Sequence, residues 1–317
     1  MMRQLMFFLT LFSVISSVLT AKWCYNSQST TCGPDHWSDN CKGENQSPIN
    51  IEQTKTSRNN NLGDFVFQGY DKAPPEKWVF LNNGHAVQLT IGENGLPSKN
   101  INISGAGLPG VYRAVQFHFH WGSKNENGSE HTIDWHQYPM ELHIVHVNLK
   151  YQTVADALND KNGIAVLGFM YKVTKVDNQN YNTVVDALKN ISYKGQELPL
   201  VTTFRLDSLL PSRSLLSKYF RYEGSLTTPG CGEAVIWTVF QDPIEISETQ
   251  YHEFVDTIHF SQLGEAAQKM LNNFRPPQPL NKRKVYASKD AIINQSPVPS
   301  NLSLVTLFTT IMLCWLL

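Results

Sequence analysis

The sequence predicts a mainly β single domain with a few short surface helices. Its clearest segments are short, rich in β-branched and aromatic residues and separated by turn residues, which is typical of strands. Helical periodicity is scarcer, and no repeat, Gly/Ser linker or long charge run divides residues 22 to 283. We therefore expect one domain of roughly 260 residues, built on a sheet.

The elements can be placed in chain order. The strand pattern occurs in "VQLTI" (87–91), "RAVQFHFHW" (113–121), "MELHIVHVNL" (140–149), "GIAVLGFMYKV" (163–173) and "AVIWTVF" (234–240). Helix candidates are "YQTVADALND", "ETQYHEFVDTI" and, with a less regular pattern, "SRSLLSKYF". A hydrophobic content of 41% in 317 residues suffices for a large core.

The charge balance bears on possible partners. The chain has 26 basic and 27 acidic residues, so it lacks the basic excess that proteins use to bind polyanions. Nucleic acid is therefore not an expected partner.

Both termini resemble processing signals. Residues 1–21 contain Arg3, an apolar run and then small residues, which is typical of a secretory signal peptide. The apolar segment 302–317 has no basic residue after it and follows small residues near Ala287 and a polar spacer, which indicates a glycosylphosphatidylinositol (GPI) signal removed on maturation. A short single-pass anchor is the alternative. Residues 286–301 would then be the linker and attachment region.

Cysteine usage agrees with a secreted chain. Removing the tail removes Cys314 and leaves Cys24, Cys32, Cys41 and Cys231, an even set that suits two disulfides in an oxidising compartment. Four cysteines allow three pairings, and spacing alone favours only the local pair Cys24–Cys32.

Sequons for N-glycosylation agree with the same route. They occur at Asn45, Asn102, Asn127 and Asn190. Because Pro48 follows the first of them directly, the candidates are Asn102, Asn127 and Asn190.

The segment "QFHFHWG" has two histidines inside an aromatic run. Because side chains alternate along a strand, Gln116, His118 and His120 share one face. The other face carries Phe117, Phe119 and Trp121. The H-x-H pair by itself fits either a packed strand or two ligands of a metal site.

The strand "MELHIVHVNL" offers a third ligand. Glu141 and His143 share one face, whereas His146 points the other way. Three neutral imidazoles from two strands, with no fourth protein ligand, are typical of a catalytic zinc site that keeps one position open. Gln116 and Glu141 lie two residues before ligands and could accept hydrogen bonds from the free ring N–H groups.

Seven separated motifs occur in order between residues 46 and 283. They are "QSPINI", "LNNGHAV", "QFHFHWG", "GSEHTIDW", "ELHIVHVN", "GSLTTP" and "FRPPQPLNKR". Together they resemble the α-class carbonic anhydrases over residues 22–285, and the termini and cysteines resemble the membrane-anchored, GPI-linked type IV/XV group.

This resemblance implies a central ten-stranded, largely antiparallel twisted sheet with Zn2+ at the base of a conical cleft. It implies a zinc lyase that reversibly hydrates carbon dioxide to bicarbonate and a proton, by attack of zinc-bound hydroxide. Such an enzyme would be GPI-anchored at the extracellular face of the plasma membrane, and Ser288 matches the attachment position of the anchored relatives.

The resemblance also implies roles for individual positions. The zinc ligands are His118, His120 and His143, with Gln116 and Glu141 as partners of the first and third. The catalytic positions are the gatekeeper hydroxyl Thr227, the carboxylate Glu130 that orients it, and the proton shuttle His85. The apolar substrate pocket comprises Val145, Val166, Leu226, Val235 and Trp237, with Thr228 beside it. Tyr25 and Asn83 match residues that order the waters of the cleft.

The chemistry explains these residue types. Uncharged ligands leave the full charge of zinc to act on water, and Thr227 donating to Glu130 would orient the nucleophile. An exposed His85 with a pKa near ~6.5 could pass protons to buffer. One departure from the family is "TTPGCGE", where Gly230 and Cys231 replace a second proline; a bond from Cys231 to Cys41 could hold this loop instead.

Other interpretations give these residues different roles. The same fold could serve as a binding domain without catalysis, and an H-x-H hydrolase or cupin would need a carboxylate ligand. Read without the resemblance, the pocket valines would be ordinary core residues. His131 fits a structural histidine, and the basic run Lys282–Lys284 fits a solvated face that could touch anionic head groups.

Overall fold

The structure, a computed structural model, describes residues 23–92 and 96–293. The predicted signal peptide (1–21) and hydrophobic tail (302–317) lie outside these residues. No helix within the described ranges is both long and apolar enough to cross a bilayer.

Strands dominate the described part of the chain. They are β1 (Asn50–Ile51), β2 (Ser57–Arg58), β3 (Phe65–Gln68), β4 (Val79–Asn82), β5 (Val87–Thr90), β6 (Asn102–Gly105), β7 (Tyr112–Trp121), β8 (Thr132–Ile133), β9 (His136–Gln137), β10 (Met140–Asn148), β11 (Ile164–Thr174), β12 (Glu197–Pro199), β13 (Tyr219–Gly224), β14 (Val235–Phe240), β15 (Ile244–Ser247) and β16 (Tyr286–Ala287). The α-helices are α1 (Val154–Ala157), α2 (Asn182–Leu188) and α3 (Glu248–Thr257). Short 3₁₀ turns span Pro34–His36, Asp39–Lys42, Gln53–Lys55, Gln179–Tyr181, Leu206–Leu209 and Arg213–Leu215.

The predicted mainly β class is confirmed. Ten strands follow one another in the order β12-β4-β5-β7-β10-β11-β14-β13-β16-β2, and β3, β6 and β15 join this path to make a 13-stranded sheet. Most neighbours are antiparallel, but β11 runs parallel to β14 and β15, and β16 runs parallel to β2, so the sheet is mixed. A small second sheet has the order β1-β8-β9.

The predicted elements occur where the sequence placed them, with one exception. All five strand segments lie in β5, β7, β10, β11 and β14, and "ETQYHEFVDTI" forms α3, which begins at a capping box between Ser247 and Gln250. The helix predicted for "SRSLLSKYF" is wrong. Only a short 3₁₀ turn forms there, at Arg213–Leu215, because Tyr219 and Phe220 already pair with β14 in the sheet.

The strands β7 and β10 form the centre of the molecule. Phe117, Phe119 and Trp121 are fully buried on one face of β7. Phe254 of α3 packs there, with its ring 5.1 Å from that of Phe119 and 5.5 Å from that of Trp121. His146 points to the core side of β10, as alternation along the strand predicts, and its Nε2 lies 2.6 Å from the Tyr70 hydroxyl. The opposite face of β7 and β10 is therefore free to form a site.

The described fold continues beyond the expected boundary at residue 285. Strand β16 lies between β13 and β2, and Ser288 after it is fully buried. Its Oγ donates to Ser217 O at 2.7 Å and accepts from Tyr219 N at 3.0 Å. The first residues of the expected linker are thus part of the sheet.

Candidate metal centre

Pairing of β7 with β10 brings three histidines together. His143 lies opposite His118, and Glu141 opposite His120, in the antiparallel register. One ring nitrogen from each of His118, His120 and His143 lies within 4.8 Å of the other two. The alternation of side chains therefore places the three predicted ligands around one point, as expected.

Each ring is held by a hydrogen bond on its far side. His118 Nδ1 lies 2.8 Å from Gln116 Oε1, and His143 Nε2 lies 2.7 Å from Glu141 Oε1. His120 Nδ1 lies 2.8 Å from the main-chain oxygen of Asn273. Because these oxygens accept, the three rings donate there and turn their unprotonated nitrogens toward one another. These nitrogens are Nε2 of His118, Nε2 of His120 and Nδ1 of His143.

The surroundings keep two of these rings uncharged. Burial, with the neighbouring rings of His120 and His143, lowers the pKa of His118 well below its usual value, and burial also lowers the pKa of His120. His120 Nε2 is buried without a hydrogen-bond partner among the described residues, and so is Glu130 Oε2, 3.5 Å away. Neutral imidazoles with converging lone pairs fit a zinc ion.

Glu141 has a larger role than the sequence predicted. It accepts the main-chain N–H groups of Glu130 and His131, each at 2.8 Å, as well as ring N–H groups of His131 and His143, each at 2.7 Å. Burial alone would raise the pKa of Glu141, but the two histidines and their hydrogen bonds lower it well below its usual value. The other ring nitrogen of His131 lies 2.6 Å from the Tyr222 hydroxyl, which agrees with a structural His131.

Thr227 and Glu130 lie next to the histidines. Thr227 lines the cavity in front of them and is 5% exposed, and Glu130 is fully buried. Glu130 Oε1 accepts from Arg275 N at 2.8 Å, whereas no described donor reaches Oε2. The expected hydrogen bond from Thr227 to Glu130 is not formed in this conformation.

A cavity of about 190 Å3 opens in front of the three rings. Its walls include Tyr25, Asn83, Val145, Val166, Leu226, Thr227, Thr228 and Trp237, all of which the sequence placed at the cleft. Val154, Ala86 and Gln88 also line it and were not predicted. Val235 is not among its lining residues: it is fully buried two positions before Trp237 on β14, in an apolar cluster that also contains Trp237, Val145 and Val166.

His85 differs from the expected exposed histidine. Its ring is stacked on Trp23 with centroids 3.6 Å apart and an interplanar angle of 12°. Burial, followed by the positive charge of Lys194, lowers the pKa of His85 to about 4. The sequence prediction of an unperturbed pKa is therefore wrong, because the aromatic N-terminal segment covers the ring.

Two disulfides are present, Cys24–Cys32 and Cys41–Cys231. The second one borders the segment that carries Thr227, since Cys231 N donates to Thr228 O at 3.0 Å. Arg275 connects it to the site: Nη2 donates to Cys41 O at 2.6 Å, while its main-chain N–H holds Glu130. Apart from its place in the "FRPPQ" motif, no sequence pattern indicated this role of Arg275.

The glycosylation candidates differ in exposure. Asn127 and Asn190 are exposed, whereas Asn102 is partly buried in β6 with its Oδ1 covered. Asn127 and Asn190 are thus the more accessible acceptors.

Comparison with known proteins agrees with this geometry. Residues 32–289 match the family of eukaryotic-type carbonic anhydrases. The chain is 44% identical to carbonic anhydrase 15 of Mus musculus, over 86% of this chain and 85% of that protein. It is 41% identical to carbonic anhydrase 4 of Rattus norvegicus, over 90% and 91%, and 37% identical to carbonic anhydrase 3 of Homo sapiens, over 85% and 99%. The chain with the histidine centre between β7 and β10 therefore belongs to the eukaryotic-type carbonic anhydrase family.

Proposed function

We propose that this carbonic anhydrase uses zinc held by His118, His120 and His143 to hydrate carbon dioxide at the extracellular membrane surface. The observation that supports this most is the orientation of the three rings, each fixed by an acceptor on its far side. Such second-layer acceptors set the tautomer and raise the basicity of the ligand nitrogen.

Zinc bound there would supply a Lewis acid that lowers the pKa of a bound water to about 7, the established value for carbonic anhydrases. The protein would orient that water. Glu130 Oε2 is free to accept a hydrogen bond from the Thr227 hydroxyl. Because that bond uses the only proton of the hydroxyl, the Thr227 oxygen can then act only as an acceptor, for a hydrogen bond from the water. This pair would therefore direct a water lone pair toward the substrate.

Carbon dioxide is uncharged, so its binding must rely on weak apolar contacts. Val145, Val166, Leu226 and Trp237 provide such a wall beside the histidines. Weak contacts at this wall also allow bicarbonate to leave quickly.

His85 is the proposed proton relay. A ring with a pKa of about 4 is neutral near pH 7, and its protonation at that pH costs free energy. We therefore propose that His85 acts when its ring moves off Trp23, and that external buffer carries much of the proton flux otherwise.

The domain order and location are proposed from the sequence. Residues 1–21 would be a signal peptide, 22–285 the catalytic domain, 286–301 the linker and attachment region, whose first residues form β16 of the domain's sheet, and 302–317 a removed GPI signal. Ser288 stays the candidate attachment residue, and glycans at Asn127, Asn190 or Asn102 would fit the same secretory route.

A paired substitution tests the zinc centre. His143→Asn should abolish chelator-sensitive hydration of carbon dioxide and lower the zinc content, because it removes a buried ligand. His136→Asn is the matched control, since His136 is exposed on β9. Equal zinc content and activity in both variants would contradict the proposal, and an inactive native protein with bound zinc would favour a binding domain.

The anchor has its own test. Phosphatidylinositol-specific phospholipase should release the activity from intact cells into the supernatant. Activity that stays with the cells after this treatment would favour a spanning tail instead.

A further inference from the structure

A second cavity, of about 580 Å3, lies away from the histidine centre. It opens where β13 and β16 meet the segment around Gly107, and its charged lining residues are Arg221, Glu223, Lys282, Arg283 and Lys284. Four of these five side chains are basic. The cavity therefore has a positive potential, although the chain as a whole is nearly neutral.

Arg221 is the unusual member of this lining. It is only 7% exposed, and no carboxylate lies within ion-pair distance of its guanidinium among the described residues. Its Nε donates to Thr238 Oγ1 and its Nη1 to Ala106 O, each at 3.1 Å, but Nη2 is buried with no partner in the described chain. A buried charge without a counter-ion is costly, so an anion bound beside this guanidinium would be stabilising.

The packing around Arg221 relieves only part of that cost. The Phe65 and Tyr219 rings lie 5.8 and 5.5 Å from its guanidinium carbon. Burial lowers the pKa of Arg221 to about 10, which still leaves it charged at neutral pH. Arg221 thus remains a cation in the cavity lining at neutral pH.

Lys282 and Lys284 complete the cavity near solvent. Both side chains are exposed, and neither takes part in an ion pair in the described structure. Arg283, between them, holds two neighbouring segments together, because its guanidinium donates to the main-chain oxygens of Gln46 and Glu223. The two lysines are therefore free to contact a ligand in the cavity, which Arg221 also lines.

We propose that this cavity binds a phosphate group through Arg221, Lys282 and Lys284. Phosphate offers several acceptor oxygens, which suit a planar guanidinium and two mobile ammonium groups. The group could be inorganic phosphate or the phosphodiester of a lipid head group, which share this chemistry. Glu223, the one acidic lining residue, would disfavour more highly charged ligands.

Isothermal titration calorimetry with inorganic phosphate tests the site, using protein purified from cells that express the full chain. Lys282→Gln/Lys284→Gln should weaken phosphate binding at least about fivefold while carbon dioxide hydration is retained. Arg221→Gln should weaken it by about tenfold or more, provided that its circular dichroism matches the native protein. The lysine variant keeps the test decisive if the buried arginine variant does not fold.

Lys175→Gln/Lys189→Gln is the matched control, since both residues are exposed and lie outside the cavity lining. It should bind phosphate like the native protein. Equal weakening in this control, or no binding of phosphate at millimolar concentration to the native protein, would overturn the proposal. Titration with glycerophosphoinositol separates the two sources: tighter binding than phosphate assigns the lipid head group, and weaker binding assigns the free ion.

Discussion

Breaking the Cys41–Cys231 disulfide should cost stability and activity together. This bond joins residues 190 positions apart, so the chain-entropy relation gives it a contribution of about 5 kcal/mol. Cys24–Cys32 closes a separation of 8 and contributes about 2–3 kcal/mol by the same relation. The expected difference of about 2–3 kcal/mol between the two bonds can be measured by urea unfolding.

The local geometry predicts the loss of activity. Cys231 has a positive φ of 40° and follows Gly230 with φ 99°, a strained turn that the bond to Cys41 helps to hold. Gln46 Nε2 donates to Cys231 O at 3.2 Å, and Arg275 links Cys41 to Glu130. Once this turn relaxes, we expect Thr227 to lose its position beside Glu130 while the three histidines stay in place.

The assay compares Cys41→Ser/Cys231→Ser with Cys24→Ser/Cys32→Ser. Hydration of carbon dioxide and zinc content are measured at low temperature, because a loss of about 5 kcal/mol can unfold a domain of ordinary stability. The first variant should lose activity before zinc, whereas the second should lose little of either. Unchanged activity in fully reduced, zinc-loaded native protein would refute this reasoning.

Three further predictions concern the centre and its proton path. Glu141→Gln should weaken zinc binding about 10- to 100-fold in a chelator competition, because the ring of His143 loses a charged acceptor; unchanged affinity would contradict this. Thr227→Ala should slow hydration without lowering zinc content, and a parallel loss of zinc would show a structural role instead. Trp23→Ala should raise the pKa of His85 from about 4 toward ~6.5, because it removes the stacked ring that buries the imidazole. The native enzyme should then depend on added imidazole buffer at pH 7 more strongly than the variant, and equal dependence would exclude this role of Trp23.

The parts of the site that lie on two strands could be predicted from the sequence. Alternation along β7 and β10 is a local property, and it placed His118, His120 and His143 on one face and His146 on the other. The acceptor for His120 could not be found in this way. Asn273 is 153 residues away, and its contact is made by a main-chain oxygen, which leaves no side-chain signal.

Two expectations differ from the structure for a similar reason. Val235 shares a strand face with Trp237, but whether a valine on that face lines the cavity depends on its neighbours in space. His85 was expected to be exposed because the resemblance makes it the proton shuttle, yet its environment is set by Trp23, far away in sequence. Local sequence patterns thus do not predict the exposure of a side chain when segments that are distant along the chain bury it.

The position of β16 constrains when the sheet can be completed during synthesis. This strand is inserted between β13 and β2, so both of its edges are paired even though it is the last strand of the described residues. Until Ala287 has left the ribosome, β2 has no neighbour through which to join the sheet. Truncations before residue 286 should therefore leave an open sheet edge along β13, where chains can associate and quality control in the secretory pathway can act.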